Sequence, residues 1–412
     1  MDRAVAGKAV VFNFGCKVNA YESDMLLECL RQKGYEVFDS LVFADLYIVN
    51  TCAVTAEAER KSRQILSRIR AVNPSGKIII TGCASQKNKD YYISQGITHV
   101  SGASGKGAII DMLNQDFISD MNLPLAYENY PVTPRGLRTR AYVKVQDGCN
   151  CFCSFCIVPL LRGRSRSRSI CDCVKEISEL SKHSQEIVIT GINLSAYGEN
   201  GETLADLISE LKHINSRIRI GSFYVEGINH KLLDSLFSLK NFAPHFHLSL
   251  QHGSGEVLKH MNRKYTKEEY LNKVHMIRGY NSLSSITTDI IAGYPTETDK
   301  NFNESYDFIK EVGFSDLHIF PFSKREGTAV ANFPLISAPL VKERITKLTA
   351  LKSELANNYL NSLIGVPQNV IYESKLKNGL SVGYSQYYVR VFSKTDSETE
   401  TIIPEKAHFG IF

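Results

Sequence analysis

The order of predicted elements puts this 412-residue chain in the α/β class, as an N-terminal open parallel sheet, a central partial (β/α)6 barrel and a small C-terminal antiparallel β-barrel. Three observations predict it. Short apolar runs without polar alternation recur between helical patterns over two long stretches, the signature of parallel sheets covered on both faces. A segment rich in Pro and Gly, 115–138, separates the stretches. Beyond residue 363 the texture changes to short strands punctuated by glycines, which suits a small antiparallel barrel. A chain this long also exceeds one ordinary core, so several folding units are expected.

In the first unit, 7–125, strands are predicted at Lys8–Phe14, Asp45–Asn50, Lys77–Thr81 and Ile97–Val100, with helical spacing over Glu22–Arg31 and Thr55–Arg70. The connector, Gln115–Arg138, carries Pro124, Pro131, Pro134 and Gly136 with no sustained period. In the second unit, 139–362, strands are predicted at Ala141–Gln146, Glu186–Thr190, Arg217–Phe223, His245–Leu250, Ser285–Ile291 and Ser315–Phe320. All but the last, which runs into Pro321, lead into helical stretches; six such repeats instead of eight leave a barrel open on one side. The third unit, 363–412, follows the amphipathic pattern Leu340–Leu363 and holds strands such as Gln368–Tyr372 and Tyr387–Phe392, broken by Gly379 and Gly383.

Composition excludes several classes. With 43% hydrophobic and 22% charged residues the chain is neither disordered nor fibrous. No run of about 18 apolar residues occurs, and Met1–Lys17 lacks an export signal, so a cytoplasmic protein without membrane contact is expected. The net charge of +5 is too mild to imply a nucleic-acid partner by itself. Ten cysteines in such a chain point away from a disulfide framework and, where they cluster, toward metal or cluster ligation.

Cys149, Cys153 and Cys156 make a C-x3-C-x2-C set in DGCNCFCSFCIVPLLRGRSRSR, residues 147–168, at the end of the first barrel strand. Three thiolates on a tight loop can hold three irons of a [4Fe-4S] cube and leave the fourth without a protein ligand. That iron can chelate the amino and carboxylate groups of S-adenosylmethionine, so that one electron cleaves the sulfonium to a 5′-deoxyadenosyl radical. The alternative is structural zinc, with Cys171 and Cys173 as further ligands. Cys151 lies between two of the proposed ligands and is placed to swap with them.

Cys16, Cys52 and Cys83 are far apart in sequence, yet each stands at or just beyond the carboxyl end of a predicted strand of the first unit. In a parallel sheet those ends share one edge, where ligands bind, so the three can converge. Gly15 and Gly82 permit close backbone approach. Each cysteine alone also reads as a buried core residue, as Cys29 does between Leu26, Leu27 and Leu30.

The 147–168 string, together with GCKVNAYES, VNTCAVT, TGCASQ, GINLSAYG, HLSLQHGSGEVLKHMNRKYT, TTDIIAGYPTET and HIFPFSKREGT, closely resembles the radical S-adenosylmethionine methylthiotransferase family over nearly the whole chain. The resemblance implies two [4Fe-4S] clusters, the auxiliary one on Cys16, Cys52 and Cys83 holding the sulfur to be inserted. In the family's scheme one S-adenosylmethionine methylates that sulfur and a second supplies the radical, since no side chain can deprotonate an aromatic C–H. Asn193, Glu226, Gln251 and Gly293–Pro295, at the carboxyl ends of barrel strands, become candidates for holding S-adenosylmethionine; loop capping is the plainer alternative for Asn193 and Gln251, and a solvated turn for Glu226. Arg162, with Arg164, Arg166 and Arg168, would form a one-sided stripe if extended, suited to phosphates or to a substrate carboxylate; a solvated charge run is the alternative. His252, Tyr294, Thr296 and the 221–227 stretch depart from the family's usual residues.

The end of the chain resembles the family's TRAM RNA-binding barrel, in which Lys375, Lys377, Tyr384, Tyr387, Tyr388 and Arg390 pair charge with aromatic faces; strands of a plain core would also be aromatic. The closing strand is not recognisable in EKAHFGIF, residues 405–412. Gly15-Cys16-Lys17-Val18-Asn19 followed by Glu22 resembles the branch acting on N6-threonylcarbamoyladenosine in transfer RNA, next to the anticodon. The other branches act on N6-isopentenyladenosine in transfer RNA or on a ribosomal-protein aspartate; an alternative of another class is a non-catalytic iron-sulfur RNA-binding protein. The implied partners are the modified transfer RNA, an electron donor and a sulfur donor, with the enzyme a monomer.

Overall fold

The computed structural model describes residues 6–130, 139–198 and 201–406. Pro131, Pro134 and Gly136 of the connector, and 407–412 of the terminal segment, lie outside the described residues.

Strands β1 (Gly7–Asn13), β2 (Tyr35–Phe38), β3 (Leu46–Thr51), β4 (Lys77–Gly82), β5 (His99–Val100) and β6 (Phe117–Ile118) form one sheet of order β2-β1-β3-β4-β5-β6, every pairing parallel. Alternate residues feed opposite faces. Ala9, Val11, Ile48 and Ile79 pack with Met25, Leu26 and Leu30 of helix Lys17–Gln32. Val10, Val49 and Ile80 pack with Ile65, Leu66 and Ile69 of helix Ala56–Val72. Two strands were not expected. β2 is a half-buried edge strand, and β6 takes the start of the predicted connector, because Phe117 and Ile118 pair with His99 and Val100 and extend the sheet.

The second unit contains β7 (Arg140–Asp147), β8 (Arg166–Ser167), β9 (Glu186–Gly191), β10 (Arg217–Ile220), β11 (Ser222–Phe223), β12 (His245–Leu248), β13 (Ser285–Ala292) and β14 (Asp316–Pro321). They pair as β10-β9-β7-β8 and β11-β12-β13-β14. β10 and β11 are halves of the single predicted strand Arg217–Phe223. It breaks at Gly221, where a Cβ would stand 3.1 Å from the Thr190 hydroxyl. The six expected parallel strands are therefore present, and β8 adds to β7 an antiparallel bridge drawn from the arginine run. Among the described residues β7 and β14 do not pair, so the barrel is open. Helix Lys17–Gln32 packs on β7 at one margin, and helix Ala338–Ser362 on β14 at the other.

The C-terminal sheet has β15 (Gln368–Lys375), β16 (Ser381–Ser385), β17 (Arg390–Ser393) and β18 (Thr399–Ile402) in antiparallel order β17-β16-β15-β18. The described residues form a sheet and not a closed barrel. Gly383 is no breaker: it sits inside β16, where a Cβ would fall 2.1 Å from the Ile371 carbonyl of β15. The predicted strand Tyr387–Phe392 starts only at Arg390, because Tyr388 turns the chain with φ +64°. Arginines from the amino-terminal ends of the barrel strands seat this sheet: Arg217 donates to the carbonyls of Asn369 (2.6 Å) and Tyr384 (3.2 Å), and Arg140 pairs with Glu373.

Candidate active site

β7 ends at Asp147, and the chain turns through Gly148 (φ +70°), where a Cβ would lie 1.9 Å from the Arg164 carbonyl. Cys149 and Cys153 are buried, Cys151 and Cys156 half-buried. Asn262 fastens the loop by donating to the carbonyls of Cys151 (3.3 Å) and Phe152 (3.0 Å). Hydrogen bonding from Cys151, first through its thiol, brings the Cys149 thiol down to about 6 despite burial. Arg263, held by the Ser249 carbonyl at 2.6 Å, donates to Cys153 Sγ at 3.4 Å, and its guanidinium lies 4.2 Å from the Tyr224 ring centroid. A guanidinium aimed at a thiolate offsets its charge in a buried place.

The zinc alternative does not fit this arrangement. Zinc–sulfur bonds of ~2.3 Å would gather the thiolates tightly. Among the described residues the only group with three ligand atoms within 4.8 Å of one another is His247, Asp289 and His318, so no three of the cysteines stand at that spacing. Cys171 is exposed, and Cys173 is packed in the core beside Tyr197 on helix Ile170–Leu180.

The other three cysteines meet at one sheet edge. Cys16 caps helix Lys17–Gln32, Cys52 follows β3, and Cys83 opens the short helix Cys83–Lys87 after β4. Gly82 (φ +106°) approaches the Thr51 carbonyl so closely that a Cβ would come within 2.4 Å. Asn19 donates to Asn50 Oδ1 (3.0 Å) and the Thr51 carbonyl (3.1 Å), while Thr51 Oγ1 donates to the Thr81 carbonyl (2.7 Å). These bonds lash the three loops together. Burial raises the thiols of Cys16 and Cys52, the latter to about 12, and the neighbouring Cys83 adds to both. Cys16 is nevertheless exposed.

The arginine run does not form a stripe. Arg162 ends helix Val158–Arg162 and is 2% exposed; its Nη1 stands 2.9 Å from Glu22 and 3.1 Å from Asp147, and its Nη2 donates to Asn19 at 3.0 Å. Lys106 and Lys144 reach the same Glu22 at 3.1 and 3.2 Å. Arg166 is buried against Asp147, Arg168 pairs with Glu176, and Arg164 stacks on Phe152. Buried carboxylates of the protein draw Arg162, Arg166 and Arg168 inward, in different directions, while Arg164 stays exposed. Arg162 thus joins the two cysteine sites to each other.

Asn193 is buried; its amide donates to Cys151 Sγ at 3.4 Å and its backbone N–H to Gln146 at 2.7 Å. Gln251 follows β12 with φ +72°, a strained conformation for a residue with a side chain, and bridges to Ile290. Glu226 is exposed on the turn Val225–Gly227. Gly293 and Tyr294 give their backbone N–H groups to Glu297 (2.6 and 3.1 Å), and Tyr294 is fully buried with its hydroxyl 2.8 Å from Ser154. Sequence reasoning missed Gln146, Tyr224, Asn262 and Arg263. The one available signal was that Asn262 and Arg263 stand within HMNRKYT.

The barrel lumen is polar. Strand alternation turns Arg219, His245, His247, Thr287 and Asp289 to the inside. Asp289 meets His247 Nε2 at 3.2 Å and His318 Nδ1 at 3.3 Å. Burial opposes the charge on Asp289, but those imidazoles hold its carboxyl well below the usual range. Lys17, beside Cys16, reaches toward Tyr388, Arg219, Arg140 and Asp289. A cleft of about 790 Å³ runs between β13, β14 and the C-terminal sheet, lined by Thr287, His318, Tyr384, Tyr387, Tyr388 and Arg390. Of the aromatic and basic set predicted at the C-terminus, the three tyrosines and Arg390 therefore face the barrel, whereas Lys375, paired with Asp396, and Lys377 are exposed outside the cleft.

Residues 8–102 match the profile described as "Uncharacterized protein family UPF0004", and residues 143–309 match "Radical SAM superfamily". The chain is 35% identical to the "Threonylcarbamoyladenosine tRNA methylthiotransferase MtaB" of Bacillus subtilis, covering 92% of this chain and 89% of that protein, and 37% identical to the protein of the same name from Thermotoga maritima, with the same coverages. The "tRNA-2-methylthio-N(6)-dimethylallyladenosine synthase" of Thermodesulfovibrio yellowstonii is 33% identical over 92% of this chain and 90% of its own. Among solved structures, the radical S-adenosylmethionine methyltransferase TsrM of Kitasatospora setae superposes with a TM-score of 0.58 at 15% identity, covering 78% of this chain and 76% of that one. At that identity the likeness speaks for the fold alone.

Proposed function

We propose that this chain, which belongs to the radical S-adenosylmethionine methylthiotransferase family, replaces the C2 hydrogen of N6-threonylcarbamoyladenosine, next to the anticodon of transfer RNA, by a methylthio group. The observation that carries this is the meeting of two three-cysteine sites, on separate parallel-strand edges, through one buried arginine. The enzyme uses S-adenosylmethionine and a [4Fe-4S] cluster, which we assign to Cys149, Cys153 and Cys156. The second cluster is assigned to Cys16, Cys52 and Cys83 on the geometry above. Bound there, the two groups supply one-electron cleavage of S-adenosylmethionine and a sulfur to transfer. The chain's own residues position and shield: Arg263 offsets charge at Cys153, Gly148 lets the loop close, and Asn193, Glu226 and Gln251 hold S-adenosylmethionine at the strand ends. Arg162 is assigned to joining the sites rather than to ligand contact.

The units 7–125, 139–362 and 363–412 act as cluster, radical and TRAM-like RNA-binding domains, the last through the tyrosines and Arg390 of the cleft. We place the enzyme in the cytoplasm as a monomer served by separate electron and sulfur donors; no described helix is long and apolar enough to cross a membrane. The threonylcarbamoyl branch rests on the Gly15–Asn19 motif and on relatives bearing that name at 35–37% identity, against 32–33% for those named for dimethylallyladenosine.

The test is mass spectrometry of nucleosides from transfer RNA carrying both modified adenosines, incubated anaerobically with cluster-reconstituted protein, S-adenosylmethionine, sulfide and a strong reductant. The 2-methylthio-N6-threonylcarbamoyl product is expected. The isopentenyl product alone would move the chain to the other branch, and neither product, with both clusters present, would favour the ribosomal aspartate or a non-catalytic role.

A further inference from the structure

The lumen floor carries an excess of positive charge that the protein leaves unmatched. Arg140, Arg217 and Arg219 share the carboxylate of Glu186, and Arg140 also pairs with Glu373. Lys17 enters the same space from the first unit, and among the described residues its ammonium has no salt bridge or hydrogen bond. Its surroundings are Tyr388, Arg219, Arg140 and Asp289, and Asp289 already serves His247 and His318. Four cations thus stand against three carboxylates, Glu186, Glu373 and Asp289.

Two buried polar atoms are also left over. Arg219 spends Nε and Nη2 on Glu186, both at 2.9 Å, and Nη2 again on the Ser385 carbonyl, while Nη1 has no partner although the residue is 1% exposed. His245, 3% exposed, has no partner at Nδ1. The other nitrogen of that ring, Nε2, lies 3.0 Å from the Thr287 hydroxyl, which also meets His247 Nδ1 at 2.9 Å, while His247 Nε2 stands 3.2 Å from Asp289. His245 Nδ1 is left without a partner. Buried donors and acceptors without partners are costly, and a ligand that pairs with them recovers that cost.

We infer that Lys17 and Arg219 Nη1 bind the carboxylate of the substrate's N6 substituent, and that His245 Nδ1 hydrogen-bonds its hydroxyl. Two cationic donors beside a buried, unpartnered imidazole nitrogen match a β-hydroxy acid, as a threonyl group is, and do not match an aliphatic chain. Lys17 follows the cluster ligand Cys16 directly, so a base presenting C2 to the clusters would pass its N6 substituent to the lumen, C2 and C6 of adenine lying on either side of N1. Tyr388 closes the floor. Its ring stacks on His245 with centroids 4.4 Å apart and lies 4.7 Å from the Arg219 guanidinium. The same excess of cations opposes a metal ion on His247, Asp289 and His318.

This inference rests on the proposed substrate, and its test separates the two. Affinities are measured for anticodon stem-loops carrying N6-threonylcarbamoyladenosine as the free acid, as its methyl ester, and with glycyl in place of threonyl. The native protein should prefer the acid to the ester by roughly ten- to hundredfold, the size of a charge-assisted pairing. That ratio should fall to near unity in Lys17→Met and in Arg219→Lys, the latter keeping a cation beside Glu186. A ratio of affinities within one preparation is insensitive to how much of it is folded. His245→Leu should erase the threonyl-over-glycyl preference and leave the acid-over-ester preference in place. No preference for the acid in the native protein, or one that survives both cation variants, overturns the inference even if the methylthio product forms. A preference lost in the variants, without any methylthio product, would sustain the carboxylate site and overturn the proposed reaction.

Discussion

Arg162 Nη1 stands 2.9 Å from Glu22 Oε1, across 140 residues of chain, and the pair joins the loop of one cysteine triad to the helix that begins at the other. Glu22 is fully buried, and its carboxyl, though opposed by desolvation, is held well below its usual range by Arg162, Lys106 and Lys144. Removing one partner of such a pair leaves an uncompensated buried charge. Glu22→Gln should cost roughly 3–5 kcal/mol, seen as a lower urea midpoint with unchanged slope. An unaltered midpoint would show that the lysines and Arg162 find other partners.

The two cysteine sites should fail differently. Cys153→Ser should abolish both 5′-deoxyadenosine and methylthio product. Cys52→Ser should still cleave S-adenosylmethionine to 5′-deoxyadenosine while the methylthio product disappears. In each variant iron should fall by about four atoms per chain, one cube's worth. Loss of 5′-deoxyadenosine in both variants would mean the sites do not work separately.

Arg263 is a positioning residue for Cys153, which it touches through Nη1 at 3.4 Å. Arg263→Gln should slow 5′-deoxyadenosine formation by roughly 10–100-fold, the usual consequence of losing an outer partner of a metal ligand. It should also change the electron paramagnetic resonance signal of that cluster alone. A slowed enzyme with an unchanged signal would assign Arg263 to packing.

His99, fully buried on β5 with its ring edge-on to Phe117, gives a pH dependence. Burial, aided by Lys77, lowers its pKa from 6.5 to about 4. The unfolded chain therefore binds the extra proton first as pH falls. Stability from this residue is full above pH 6.5 and is lost between about 6.5 and 4, on the order of 3 kcal/mol in all. His99→Phe should flatten the pH profile of unfolding free energy in that window; a slope identical to the native protein's would reject the assignment.

Gln251 sits at φ +72°. Gln251→Val should destabilise by about 1–2 kcal/mol because a branched side chain clashes there, whereas Gln251→Gly should relieve the strain and weaken S-adenosylmethionine binding. Equal stability of the two variants by denaturant titration would show that the turn relaxes.

Much of this could be read without coordinates, for physical reasons. Apolar runs such as Ile78–Ile80 and Ile187–Ile189 read as strands of a doubly covered sheet because they are short, rich in β-branched residues and followed by Thr-Gly. Cys149, Cys153 and Cys156 share one loop, so their meeting is local. Cys16, Cys52 and Cys83 converge because parallel strands put their carboxyl ends on one edge. The destination of the long polar side chains was not local. Arg162 through Arg168 could be placed as a charge run, but the pairing of Arg162 depended on packing helix Lys17–Gln32 against β7, which delivers Glu22 to it. The same packing puts Lys17 in the lumen beside Arg219, more than 200 positions away in the chain. Apolar burial follows from periodicity along the sequence; a buried ion pair is specified only when tertiary structure brings two distant charges to the same dry place.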